Sequence, residues 1–301
     1  MVPANPPSTP SPSSTPKPPS TRGASGPPGP LRPSVTTPAP AAPPETGSVT
    51  AAGHLLDYQV FGGASGGHPR VVLLHEGLGC IAMWRGFPAQ LAARLGEPVL
   101  VYSRYGYGRS EVLQSTERDD RFMHDEALVA LPELLDRFGI ARPVLVGHSD
   151  GASIALIHAG LAGRPVAAVA VLAPHLFVEP VTVASIRLAR RLFDEGDLAA
   201  RLARYHTDVR RTFDGWCDTW LRPSFEHWNI EDAVARIRCP LLAIQGVDDE
   251  YGTLAQVERI GALCPQARIV ALPDCRHSPH LDQPERTLDE IARLLASAAA
   301  G

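Results

Sequence analysis

Short apolar runs alternate with longer amphipathic stretches along most of this 301-residue chain. Arg70 to His75 contains Val-Val-Leu-Leu, with no polar position to turn toward water. Pro98 to Tyr102, Pro143 to Val146 and Val166 to Leu172 have the same character. Runs of that length, apolar throughout, predict strands buried on both faces of a sheet. Pro240 to Gln245 and Ala267 to Leu272 predict two more. Between these runs the pattern becomes helical: up to about Leu95, from Phe122 to Phe138, onward from Gly151, from Leu254 to Leu263, and from Pro284 to Ala299. Strands alternating with helices imply a mostly parallel sheet covered on both faces. Ser48 to Phe61 shows short apolar alternation, broken at Gly53 and ended by Gly62-Gly63, which predicts a β-hairpin at a sheet edge.

The alternation stops in two places. Residues 176–236 are helical in pattern and rich in Arg, and they carry Trp216, Trp220 and Trp228. An insertion between two sheet strands predicts a lid over the strand ends, the plainer alternative being a structural helical layer with an aromatic core. Residues 1–47 hold 16 of the 30 prolines and no aromatic residue. So little apolar surface cannot offset the entropy of ordering, which predicts a disordered or polyproline-like tail. The tail has no continuous apolar segment of the kind a secretory signal needs. The expected organisation is a tail at 1–47, an α/β core at 48–175 and 237–301, and a helical cap at 176–236.

Charge and cysteine content narrow the function classes. The tail carries Lys17, Arg22 and Arg32 against Glu45, a net +2, so the whole-chain −4 leaves −6 on the remainder. That balance disfavours nucleic acid as a partner. No apolar run reaches the ~18 residues of a membrane helix, so no membrane partner is expected. Cys80, Cys217, Cys239, Cys264 and Cys275 are odd in number, scattered, and form no C-x-x-C. A reduced cytoplasmic protein without a zinc site is the simplest expectation.

Candidate chemistry centres on Gly147-His148-Ser149-Asp150-Gly151, a G-x-S-x-G stretch between the run ending at Val146 and the helix starting near Gly151. A strand that turns sharply into a helix strains the turn residue, and small residues on either side let the two elements approach closely. The serine oxygen is then lifted above the sheet edge at a helix N-terminus, where negative charge is favoured. A serine needs a base to take its proton, and the base needs a third group to fix its tautomer. Leu241 to Gln245 leads into Gly246-Val247-Asp248-Asp249-Glu250, and Ile269 to Pro273 leads to Asp274-Cys275-Arg276-His277-Ser278-Pro279-His280. Serine, acid and histidine thus follow one another in order, each after an expected strand.

On these residues the chain resembles the α/β-hydrolase superfamily, in particular its cap-bearing esterases and carbon–carbon bond hydrolases, over about Ser48 to Ala299. The resemblance implies an α/β-hydrolase fold: a mostly parallel eight-stranded sheet covered by helices, with an inserted helical cap. It places the nucleophile on Ser149. The acid turn, a glycine followed three residues later by aspartate, places the acid on Asp249 in preference to Asp248. The late histidine is His277 in preference to His280, and Pro284 and Glu285 resemble the usual sequel. His148 is then a packing and hydrogen-bonding residue of the elbow, and His75 supports the oxyanion loop. The oxyanion donors would be the backbone N–H groups of Asp150 and Gly77. Where the family has His-Gly, this chain has His75-Glu76. Glu76 is either a structural carboxylate bonded to nearby N–H groups or a contact for substrate or a neighbouring turn. Gly106-x-Gly108-x-Ser110 resembles the family's Asp-x-x-Gly-x-Gly-x-Ser, with Ser103 in the aspartate's place.

The expected function is serine-dependent hydrolysis of a small carboxylic ester, thioester or lactone through an acyl-enzyme. The partner is a small-molecule substrate, and no metal or organic cofactor is implied. A nucleophilic serine argues against haloalkane dehalogenase or epoxide hydrolase chemistry, for which similar families use a carboxylate. Trp216 and Trp220, four apart, would share a helix face that belongs either to an apolar substrate pocket or to the core. One alternative is carbon–carbon bond hydrolysis of a 2-hydroxy-6-oxo-dienoate, with Arg187, Arg190 or Arg191 as the carboxylate anchor. A non-catalytic α/β-hydrolase binding module is the alternative from another class. Acyl group, leaving group and oligomeric state are not set by the sequence.

Overall fold

The structure, a computed structural model, describes residues 43–62 and 69–300. Eight strands form one sheet: β1 (Glu45–Ala51), β2 (His54–Phe61), β3 (Val71–Leu74), β4 (Val99–Tyr102), β5 (Val144–His148), β6 (Ala168–Leu172), β7 (Leu241–Gly246) and β8 (Ala267–Leu272). Their spatial order is β1-β2-β4-β3-β5-β6-β7-β8. The β1–β2 and β2–β4 pairs are antiparallel and the rest are parallel. Both turn residues of the hairpin have positive φ, 50° at Ala52 and 79° at Gly53, the geometry that matches strand twist.

β3 to β6 are buried at every position, which is why their sequences are unbroken apolar runs. Successive residues feed opposite faces of the sheet. Val72, Leu74, Leu100, Leu145 and Val169 enter one apolar layer, while Val71, Leu73, Val99, Val146 and Ala170 enter the other. The second layer is closed by α1 (Phe87–Leu95) and α11 (Pro284–Ala300). On the first layer's side lie α2 (Phe122–Asp125), α3 (Leu131–Arg137), α4 (Asp150–Leu161) and α9 (Ala255–Leu263). A π-helical turn, Glu126–Ala130, joins α2 to α3. Pro132 cannot donate to the carbonyl one turn back, and the widened turn ahead of it accommodates the loss.

Between β6 and β7 the chain is helical: α5 (Pro180–Asp194), α6 (Leu198–Leu202), α7 (Val209–Trp220) and α8 (Glu231–Val234). Phe193 stacks on Phe213 at 3.8 Å, joining α5 to α7. Arg190 crosses the same junction to Asp214 and Asp218, which accounts for part of the arginine content. A last short helix, α10 (Pro279–Asp282), precedes α11.

One boundary expected from composition is corrected. Glu45, Thr46 and Gly47 belong to β1, opposite Val60, Gln59 and Tyr58, so the tail does not extend to residue 47. Strand pairing uses backbone groups and needs no apolar side chain at an edge. Gly47 also leaves room for the Tyr58 ring, since a Cβ there would come within 2.6 Å of the phenolic oxygen. Of the rest of the expected tail, residues 1–42 lie outside the described residues. Among those described, no helix is long and apolar enough to cross a membrane.

Candidate active site

Ser149 stands between β5 and α4 with φ 52° and ψ −117°, a conformation costing about 1–3 kcal/mol that the surrounding packing imposes. The flanking glycines are required by close approach. A Cβ at Gly147 would lie 2.6 Å from Ala152 Cα, and one at Gly151 would lie 2.6 Å from the His75 carbonyl oxygen. Any larger residue at either place would push α4 off the sheet.

His277 lies in the loop between β8 and α10. Its Nε2 is 3.0 Å from Ser149 Oγ, and its Nδ1 is 2.8 and 2.9 Å from the two carboxylate oxygens of Asp249. A carboxylate only accepts, so Nδ1 carries the proton and Nε2 is free to accept from the serine hydroxyl. Asp249, in the loop after β7, accepts from the N–H of Tyr251 at 2.8 Å and from Gln245 Nε2 at 2.6 Å. Burial would raise this carboxyl, but the hydrogen bond and charge of His277 outweigh it and hold Asp249 below its ordinary value. The neighbouring Asp248 is exposed, its N–H donating to the Cys275 carbonyl at 3.0 Å. The structure therefore brings Ser149, His277 and Asp249 together and leaves Asp248 outside. His280 is buried against Trp84, 4.7 Å between ring centroids, and makes no hydrogen bond to Ser149.

The Asp150 N–H is one of the orphan donors at the start of α4. Gly77, in the turn after β3, lines the same cavity, and among the described residues its N–H meets no protein acceptor. His75 braces that turn: its Nε2 accepts the Arg104 N–H at 3.0 Å, and its Nδ1 donates to the Glu76 carbonyl at 2.8 Å. The Glu76 carboxylate faces His148 Nδ1 at 3.4 Å, so its partner among the described residues is an imidazole rather than backbone N–H groups. Burial opposes ionisation of Glu76, but His148 more than compensates and holds the carboxyl far below the usual range. His148 Nε2 donates in turn to the His277 carbonyl at 2.8 Å.

Above Ser149 lies a cavity of about 220 Å³ with mainly apolar walls, including Leu78, Ile186, Leu202, Trp216 and Trp220. Both tryptophans line it and both belong to the hydrophobic core, at 6% and 2% exposure. Pocket and core, which the sequence presents as alternatives, are therefore the same face here. Trp228 is absent from the lining and stacks on Phe225 at 5.4 Å. Arg187, Arg190 and Arg191 are not brought to the cavity, and none of the described residues lining it is Arg or Lys. Four contributors went unnoticed in the sequence: His175, Tyr251, Gln245 and Arg104. His175 follows β6 and lines the cavity, its imidazole pushed down to about 3 by burial and by His277. Gln245 is the one polar residue closing an apolar strand immediately before the acid turn, a signal that marks it for a role at the strand end.

A sheet with this strand order and a strained serine beside a histidine–aspartate pair define an α/β-hydrolase fold. The chain belongs to the alpha/beta hydrolase family, whose model it matches over residues 71–290. Solved structures share the fold at low identity. A thermophilic esterase from Thermogutta terrifontis is 20% identical with TM-score 0.67, over 84% of this chain and 99% of that one. The enol-lactonase from Burkholderia xenovorans is 20% identical with TM-score 0.65, over 83% and 100%. A serine hydrolase involved in carbazole degradation is 18% identical with TM-score 0.64, over 84% and 99%.

Proposed function

We propose that this chain is a serine hydrolase of small, uncharged carboxylic esters, thioesters or lactones. The observation that carries this is the hydrogen-bonded line from Ser149 through His277 to Asp249, opening on an apolar cavity. Ser149 Oγ attacks the acyl carbon while His277 Nε2 takes the hydroxyl proton, and Asp249 stabilises the imidazolium. Charge moves to the carbonyl oxygen, held by the N–H groups of Gly77 and Asp150, each worth about 2.7–4 kcal/mol in such sites. His277 then returns the proton to the leaving oxygen or sulfur, and the acyl group stays on Ser149. Water attacks that ester with His277 again as base, and the acid leaves as Ser149 regains its proton. Residues 176–236 act as the cap, with Trp216 and Trp220 setting the size of the acyl group.

The cavity's charge favours esters over a dienoate. A dienoate carboxylate entering here would meet the ionised Glu76 and no cationic partner among the lining residues. Similarity to an esterase and an enol-lactonase supports acyl transfer. Five free cysteines fit a reducing, cytoplasmic setting.

The test is a fluorophosphonate label together with a panel of p-nitrophenyl esters of rising acyl length, set beside a 2-hydroxy-6-oxo-dienoate. Labelling of Ser149, loss of label and turnover in Ser149→Ala, and preference for short esters are expected. Preference for the dienoate would move the assignment to carbon–carbon hydrolysis. A protein that takes no label and turns over nothing is a binding module.

A further inference from the structure

We propose that Arg104 is a positioning residue that fixes and polarises the Glu76–Gly77 peptide, whose N–H serves as an oxyanion donor; this rests on the serine-hydrolase assignment above. Leu73 of β3 lies opposite Val101 of β4, so the turns that follow these parallel strands are side by side. Arg104 sits in the second turn with its side chain buried, at 1% exposure. Its Nη2 donates to the carbonyl oxygen of Glu76 at 2.8 Å and to that of His75 at 3.3 Å. The Glu76 oxygen also accepts from His75 Nδ1 at 2.8 Å and from the Gly79 N–H at 3.0 Å. His75 is fixed as the donor because its Nε2 already accepts the Arg104 backbone N–H.

Three donors, one of them cationic, thus converge on a single carbonyl oxygen. Across a trans peptide the C=O and N–H point in opposite directions. Holding the oxygen on the Arg104 side therefore aims the Gly77 N–H to the other side, where Gly77 lines the cavity. Charge-assisted hydrogen bonds are roughly twice as strong as neutral ones, and hydrogen bonds in series polarise one another. Drawing electron density onto the Glu76 oxygen makes the Gly77 N–H a better donor at the moment the substrate oxygen becomes negative. Arg104 reaches the other half of the hole too, since its Nη2 is 3.9 Å from the Asp150 carboxylate. The guanidinium lies 4.6 Å from the centre of the Tyr107 ring, which fixes its plane. Stability alone gives no reason for a charge here, because apolar replacement of a buried ion pair is often neutral or stabilising.

The test uses the full chain with two variants. Arg104→Met combined with Asp150→Asn removes both charges of this pair, and Arg104→Lys keeps the charge without the fork. Glu76–Gly77 and Glu195–Gly196 are the two Glu-Gly steps in the sequence, so labelling glutamate carbonyl carbons with ¹³C and glycine nitrogens with ¹⁵N gives two correlated signals. The Glu76 carbonyl carbon and the Gly77 amide proton are expected to move upfield in the double variant, and part of the way in the lysine variant. The Glu195–Gly196 signal should stay in place. For a p-nitrophenyl ester, kcat should fall about 10- to 100-fold with KM nearly unchanged, less than the ~10²–10³ for losing a donor outright. Affinity for a trifluoromethyl ketone, which forms a tetrahedral adduct on serine, should fall with kcat. A purely structural arginine would change melting temperature and move none of these. Should the double variant fail to fold, the lysine variant decides by the same measurements. A folded variant with an unmoved Glu76–Gly77 signal, or with wild-type kcat, overturns the proposal. A wild-type protein that hydrolyses no ester and takes no label would defeat the functional assignment instead, and the Glu76–Gly77 signal alone then judges the lock.

Discussion

Trp216 occupies the space that any side chain at Gly77 would need: a Cβ there would lie 2.7 Å from the indole Cδ1 and closer still to Nε1. The helix α7 and the turn after β3 are thereby in direct register. Gly77→Ala must displace either the indole or the turn. Turnover is expected to fall by about 10² or more, the size of losing an oxyanion donor. Fluorophosphonate labelling rates and ester kinetics check this. An unchanged kcat would mean that the turn yields without cost and that Gly77 is not a donor.

Asp249→Asn is expected to lower kcat by about 10⁴, the loss known for the equivalent change in a serine protease, because an amide offers a donor where His277 Nδ1–H needs an acceptor. Asp248→Asn should leave kcat near wild type, since that side chain is exposed. Gln245→Met removes the 2.6 Å hydrogen bond to Asp249 and should give an intermediate loss. Turnover of the three variants settles the order. A dead Asp248→Asn would shift the acid by one residue.

Trp216→Ala and Trp220→Ala should each do two things, because each residue is both wall and core. Truncating a buried tryptophan costs about 3–5 kcal/mol. The enlarged cavity should also move the preferred acyl chain toward longer esters. Melting curves and acyl-length profiles are to be measured on the same preparations. Lower stability with an unchanged profile would remove both residues from the substrate site.

Stability should fall steadily with acid. The imidazole of His175 is pushed from an ordinary 6.5 to about 3 by burial and His277, and burial lowers His75 and His280 well below the ordinary 6.5 as well. Below about 6.5 the unfolded chain binds protons that these folded residues refuse, so native stability is lost as pH drops. Glu76 and Asp249, whose folded carboxyls are depressed, add a further loss as pH falls through the ordinary carboxylate values. Urea midpoints at pH 7.5, 6 and 5 should decline in that order. A flat series would mean that these histidines are exposed to protons in the native state.

Much of the fold was legible because the central strands are buried on both faces, and a strand with no solvent side writes an unbroken apolar run. The edge was less legible: Glu45 to Gly47 pair through their backbones, and their composition resembles the proline-rich segment before them. Phe122 to Phe138 was readable as helical, but not the π-helical turn that Pro132 demands. Ser149, Asp249 and His277 could be placed because each follows a strand, Ser149 at the turn into α4 and the other two in the loops after β7 and β8. Glu76 could be singled out as a departure, yet its partner His148 lies far along the chain and only folding brings the two within reach. Arg104 and His175 gave no signal of their own. A buried charge beside a glycine turn acquires meaning only from the carbonyl it touches.

The helices between β6 and β7 begin and end at neighbouring strands, with Leu172 opposite Ile244 across the gap. Such an insertion looks exchangeable, a part that evolution or an engineer could swap to change specificity while the chemistry below runs on untouched. The packing of Trp216 into the space over Gly77 denies this chain that modularity. A graft of foreign helices would leave the turn at Gly77 without its roof, so new specificity has to arise by small steps around a retained indole rather than by replacement of the whole segment.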